Sequence, residues 1–186
     1  MKTLFHLLVM LGAMLCAAPR SAHAQAHEHG AAQLDVALEG SLLSLRFEAP
    51  LDALFGFERP PRSAAERQLV DAGIARLKAA ERLFRPDAAA ACSLRRVELQ
   101  SAALKLGAPA GAAQPQARAQ EGSAEHADLE ATIEFDCKDS AKLAAIDVGL
   151  FEAFARLQRI DVQIVTAKAQ SKRSLKRPAN RISLPR

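Results

Sequence analysis

Three of the five histidines in this 186-residue chain stand in patterns suited to metal chemistry. His27 and His29 flank Glu28, and in an extended segment residues two apart point to the same side. His126 and Asp128 repeat that spacing. If the two segments lie side by side, His27, His29, His126 and Asp128 form an N₃O tetrahedral set, the donor combination that suits Zn²⁺. Glu28 is the alternative oxygen ligand. The pattern differs from the zinc-protease motif, which needs two His one helical turn apart with a Glu between them. By itself an H-x-H at a chain start is most often only solvated. A second chemistry depends on where the mature chain begins. If Gln25 is the first residue, its amine, two backbone nitrogens and the imidazole of His27 in Gln25-Ala26-His27 can hold Cu²⁺ or Ni²⁺ in a square plane. Cyclisation of Gln25, or cleavage after Ala26, removes that possibility.

The start of the sequence makes such processing an expectation. Lys2 is followed by the apolar run LFHLLVMLGAMLCAA, then Pro19-Arg20-Ser21 and Ala22-His23-Ala24. This is a charged start, an apolar stretch and an A-x-A cleavage site, as in a secretory signal peptide over residues 1–24. The run is short for a membrane span, which takes about 20 apolar residues. Leu15 before Cys16 does not fit a lipoprotein signal, which places a small residue there. No later stretch is apolar enough to span a membrane. Residues 25–186 then make one exported, periplasmic domain, large enough to fold without a metal.

Two cysteines remain after such processing, Cys92 and Cys137. An even count in an exported chain suggests a disulfide. A thiolate zinc site is the alternative, but it usually shows Cys-x-x-Cys spacing, which is absent. Enzyme signatures are missing as well: there is no G-x-S-x-G, no phosphate loop, and no Ser, His and Asp at triad-like spacing. The expectation is a binding protein, not an enzyme.

Charge is segregated. Lys168, Lys172, Arg173, Lys176, Arg177, Arg181 and Arg186 fall in residues 168–186 with no acid, whereas residues 25–167 carry a net charge of −5. Such a tail either meets anionic lipid or an acidic partner, or is an edge strand whose cations block edge-to-edge pairing. The edge-strand reading is preferred. Interleaved aromatics are lacking, which argues against nucleic acid.

The elements that would position these groups follow from periodicity. Residues 33–38 alternate, with Leu34, Val36 and Leu38 on one face; Glu39-Gly40-Ser41 is a turn; Leu43, Leu45 and Phe47 continue the pattern as a hairpin. Ser63-Ala64-Ala65-Glu66 is a capping box opening a helix to about Phe84, with an apolar stripe of Leu69, Ala72, Gly73, Ile74, Leu77, Ala80 and Leu83. Residues 92–106 read as a strand with a bulge near Arg95-Arg96. Residues 107–123, GAPAGAAQPQARAQEGS, read as a flexible low-complexity loop. Residues 125–137 form a strand with Leu129, Ala131, Ile133 and Phe135 on one face. Residues 140–146 and 150–157 read as short helices, 160–166 as a strand, and 174–184 as one or two more. The expected fold class is α+β: a mainly antiparallel sheet with helices packed on one face, in a single domain.

Four segments in order, HEHGAAQLDVALEG, LRFEAPLDALFGFERPP, EHADLEATIEFDC and LFEAFARLQRIDVQIVT, resemble the ZrgA-like periplasmic zinc-uptake proteins over most of residues 27–166. The resemblance implies a soluble periplasmic zinc-binding protein working beside a zinc ABC importer and handing the ion to that importer's binding protein. It points to His27, His29 and His126 as zinc ligands and supports a structural Cys92–Cys137 disulfide. One departure matters. Members often carry a His-rich acidic loop between the central strands, whereas residues 107–123 here hold no His. A high-capacity zinc reservoir is thereby lost. The alternative function is an interaction module of the same fold that no longer binds metal.

Overall fold

Alternating apolar side chains need a surface to cover, and the chain supplies it by folding its strands into a sheet with one wet face. The computed structural model describes residues 30–107 and 127–185. The elements run β1 (Ala31–Glu39), β2 (Leu42–Pro50), α1 (Leu51–Phe55), α2 (Ala64–Lys78), α3 (Ala80–Leu83), β3 (Phe84–Pro86), β4 (Cys92–Gln100) and β5 (Asp128–Cys137). They continue with β6 (Ala145–Val148), α4 (Leu150–Ala153), β7 (Arg159–Thr166), β8 (Gln170–Lys176) and β9 (Arg181–Ser183). Six strands form one sheet in the order β4-β5-β2-β1-β7-β8, and three form a second in the order β3-β6-β9.

The main sheet is antiparallel except between β1 and β7, which run parallel, Leu34 beside Val162 and Val36 beside Ile164. On its covered face Leu34, Leu43, Leu45, Phe47, Leu129, Ile133 and Ile160 are buried. They share one core with Leu77 of α2, Leu150 of α4, and Phe84 and Ile146 of the small sheet. Each such fully buried side chain contributes roughly 1.5–3 kcal/mol. The other face of the sheet is open and polar. The expected α+β class is therefore the observed one, a single domain with a largely antiparallel sheet. The parallel pair and the second sheet are additions that periodicity did not show.

The capping box forms as spelled. Ser63 Oγ accepts from the Glu66 N–H at 3.1 Å, and Glu66 Oε2 accepts from the Ser63 N–H at 3.3 Å. Arg59 adds two bonds to the same carboxylate, at 2.8 and 3.0 Å. Led by Arg59, with the Arg62 and Ser63 N–H groups assisting, these contacts lower the Glu66 carboxyl from its usual value to about 2. The stabilisation this gives is complete above the ordinary carboxylate range and is lost as pH falls through about 2. Acid unfolding followed by circular dichroism is therefore expected to show a Glu66→Gln variant losing its difference from the parent between about pH 4.5 and 2.

The helix departs from the sequence reading in two ways. It breaks at Ala79, whose φ of −87° and ψ of 50° separate α2 from α3. The buried positions of α2 are Val70, Gly73 and Leu77, while Leu69 is 44% exposed. The stripe is rotated because Phe55 and Phe154 set the line of contact, and the Phe55 ring leaves room only for a residue without Cβ at Gly73. A Cβ there would lie 2.4 Å from Phe55 Cε1. Gly73→Ala is expected to destabilise by roughly 1–3 kcal/mol through overpacking, despite the better helix propensity of Ala, as read by urea denaturation.

Residues 140–157 also differ from expectation. Instead of two helices, a 3-10 turn at Ser140–Lys142 is followed by strand β6, and the second helix stops at Ala153. Asp87 decides the first. Its Oδ2 accepts from the Ala144 and Ala145 N–H groups at 3.0 and 2.8 Å, holding that backbone extended for pairing with β3 and β9. Arg181 locks the same corner, bonding Asp87 at 2.8 Å and Asp147 at 2.7 Å. Burial raises the Asp87 carboxyl, but Arg181 and the two amides outweigh it and hold it below the usual range. Arg177 decides the second. Its guanidinium donates to the carbonyls of Leu157 at 3.0 Å, Phe154 at 3.1 Å and Ala155 at 3.2 Å, and to that of Phe151, satisfying acceptors that the short helix leaves open.

At the two rims of the main sheet, β4 has the expected bulge, its register to β5 shifting between Leu94 and Arg96. β8 is the basic edge strand that the tail composition suggested. Cys92 and Cys137 face each other across β4 and β5 and are joined as a disulfide.

Candidate metal-binding site

Register decides which chain segments meet. β1 and β2 are antiparallel with Gln33 opposite Glu48, and β2 and β5 are antiparallel with Pro50 opposite Asp128. The start of β1, the end of β2 and the start of β5 therefore lie at the same end of the sheet. One strand separates β1 from β5, so their backbones are about 10 Å apart. In sequence, His29 directly precedes Gly30 and His126 directly precedes Ala127, so both His segments join the described fold at this end. His27, His29 and His126, like Gln25-Ala26-His27, lie outside the described residues, as does nearly all of 107–123.

Both junctions are firmly held. Gly30 has φ of +75°, and its carbonyl accepts from the Gln158 and Arg159 N–H groups at 2.7 and 3.1 Å. A Cβ on Gly30 would stand 3.0 Å from the Arg156 carbonyl oxygen, so conformation and space both require glycine. The Ala127 carbonyl accepts from the Leu51 N–H at 2.8 Å, and Ala127 is buried on the covered side. The pleat that puts Ala127 inward puts Asp128 on the open face.

Asp128 lines a cleft of about 570 Å³, together with Glu48, Glu58, Glu130, Arg59 and Gln100. Its acids differ in what they have to do. Arg46 bonds Glu130 at 2.7 Å and also lies 3.1 Å from Glu48 and 3.8 Å from Asp35. Arg59 is taken by Glu66. Among the described residues Asp128 has no ion-pair partner, and none donates a hydrogen bond to its buried Oδ1. An orphaned carboxylate oxygen is costly to bury and fits an oxygen ligand awaiting a cation. Among the described residues no three of His, Cys, Asp and Glu gather closely enough to hold a metal ion. A metal site built on Asp128 therefore requires further ligands from outside the described residues.

Sequence reasoning singled out Asp128 but not its surroundings. Glu48, Glu130 and Arg46 were assignable to polar faces by alternation. Their meeting depends on strand order, which alternation does not carry.

The architecture and this end of the sheet define the class: a small single-domain α+β protein whose open face ends in a carboxylate-lined cleft. A family model described as ZrgA family zinc uptake protein matches residues 26–184, and the chain belongs to that family. No individual curated protein matches it.

Proposed function

We propose that this is a periplasmic zinc-binding accessory protein with a single site, which assists an ABC importer and passes zinc to that importer's binding protein. It binds its cargo and catalyses no reaction. The observation that carries the reading is the shared end of β1 and β5, where two His-bearing segments join the fold beside the orphaned Oδ1 of Asp128. Membership in a zinc uptake family supports zinc as the ion. In this reading His27, His29 and His126 supply nitrogen and Asp128 oxygen, a tetrahedral N₃O set for Zn²⁺. In sequence His126 stands two residues before Asp128, the spacing on which this ligand set relies. Gly30, with φ of +75°, turns the chain at the mouth of β1. The signal-like residues 1–24 and the Cys92–Cys137 disulfide support export to an oxidising compartment. Among the described residues no helix is long and apolar enough to cross a membrane.

Calorimetric titration of Zn²⁺ into the mature chain tests the reading. One tight equivalent is expected, weakening steeply as pH falls through the imidazole range near about 6.5. Affinity independent of pH would point to carboxylates alone. No binding would favour the second reading, an interaction module that has lost its metal, for which the absence of His in residues 107–123 speaks.

A further inference from the structure

Most strand-borne arginines of the main sheet already have acidic partners. Arg46 serves Glu48 and Glu130, Arg96 bonds Glu134 at 2.8 Å, and Arg159 lies 3.0 Å from Asp161. The basic C-terminal segment divides differently. Arg177 and Arg181 are consumed inside the fold, as described above. Lys172, Arg173 and Lys176 of β8, and Lys168 in the turn before it, have no acidic partner among the described residues. All four are exposed. They line one edge of the sheet.

Among the described residues nothing else guards that edge. β8 pairs with β7 through seven consecutive residues without a register shift, and it contains no proline. β4, at the opposite rim, is interrupted by its bulge, and its Arg95 and Arg96 face Glu134. A regular edge presents unpaired N–H and C=O groups to any strand that approaches. Among the described residues the barrier on β8 is its charge, and a charge barrier is selective. It repels another β8, which bears the same cations, and attracts a strand bearing acids.

We propose that the outer edge of β8 is a docking edge for an extended acidic segment of a partner protein, which adds to the main sheet as a seventh strand. Main-chain hydrogen bonds would supply attachment, and carboxylates opposite Lys172 and Lys176 would set register and selectivity. Lys172 and Lys176 share the open face, in register with Gln163 and Arg159, while Arg173 is in register with Val162 on the other side. Acids alternating along an incoming strand would meet the first two, and one acid of opposite parity the third. The alternative of an anionic membrane is less favoured. The edge has no aromatic or large exposed apolar residue to enter a bilayer, and its cations point to both sides of the strand, not to one plane.

The test does not depend on the zinc reading. The mature protein is titrated with a fluorescent peptide of about seven residues, the length of a typical strand, alternating Glu and Val. The same is done with a Lys172→Glu/Lys176→Glu variant, and with phosphatidylglycerol vesicles. Hydrogen exchange of the β8 amides is followed in each case. The proposal expects peptide binding that weakens about tenfold or more in the variant, together with slowed exchange along β8 in the parent. No peptide binding, equal binding by the variant, binding without slowed exchange, or binding to vesicles in place of peptide would each overturn it.

Discussion

Truncating His126 to Ala is expected to remove the tight zinc equivalent, lowering affinity by at least about 100-fold. Loss of groups that merely orient a metal ligand costs about 10–100-fold, and loss of a ligand costs no less. The effect is large because the described residues offer no substitute. Arg46 already engages Glu48 and Glu130, and no three acids converge on a point. Asp128→Asn provides the companion measurement. It keeps the shape of the side chain but removes the charge from an oxygen that is buried and without a donor. An intermediate loss, about tenfold, is expected if that oxygen is the fourth ligand. Zinc binding unchanged in both variants would separate the family's fold from its function in this chain. Loss in His126→Ala with none in Asp128→Asn would move the oxygen ligand to Glu28.

Replacing both Cys92 and Cys137 by Ser is expected to cost about 4 kcal/mol of stability, read by urea denaturation as a lowered midpoint with a steeper slope, because the unfolded chain without the cross-link is more expanded. The bridge spans 45 residues of sequence, including the turn closed by Ser101 and Leu106 and the long segment before β5. Without the cross-link, that whole loop adds its freedom to the unfolded state. The same variant checks the location of the site. The disulfide closes the far end of β4 and β5, whereas Asp128 opens β5 nine residues earlier, about 30 Å away along the strand. Zinc affinity of the folded variant is therefore expected to match the parent. A parallel loss of zinc binding would mean that the β4–β5 pairing, and not the local ligand set, holds the site together.

Much of this protein is decided by local sequence. Period-two runs give β1, β2, β5 and β7 and the face each one buries, because alternation is a property of one strand. Ser63 and Glu66 write the start of α2, since a capping box closes within four residues. The pairing of Cys92 with Cys137 follows from an even count if Cys16 leaves with a signal segment, and the structure joins these two. The family is legible too, in four ordered segments.

Tertiary structure decided what depends on neighbours. Residues 140–157 have helix-like spacing, yet Asp87 and the strands β3 and β9 offer the backbone better partners than a short helix could. The apolar stripe of α2 turned toward Val70 because Phe55 sits against Gly73. Above all, the placing of β2 between β1 and β5, and of β7 parallel to β1, is a matter of strand order and register. Pleating fixes the side of the sheet on which a residue lies, but not which other strands share that side or which end of the sheet it reaches. Hence Asp128 could be named from spacing. Its cleft, its unpaired oxygen, and its place at the end where both His-bearing segments enter came only with the packing of six strands into one sheet.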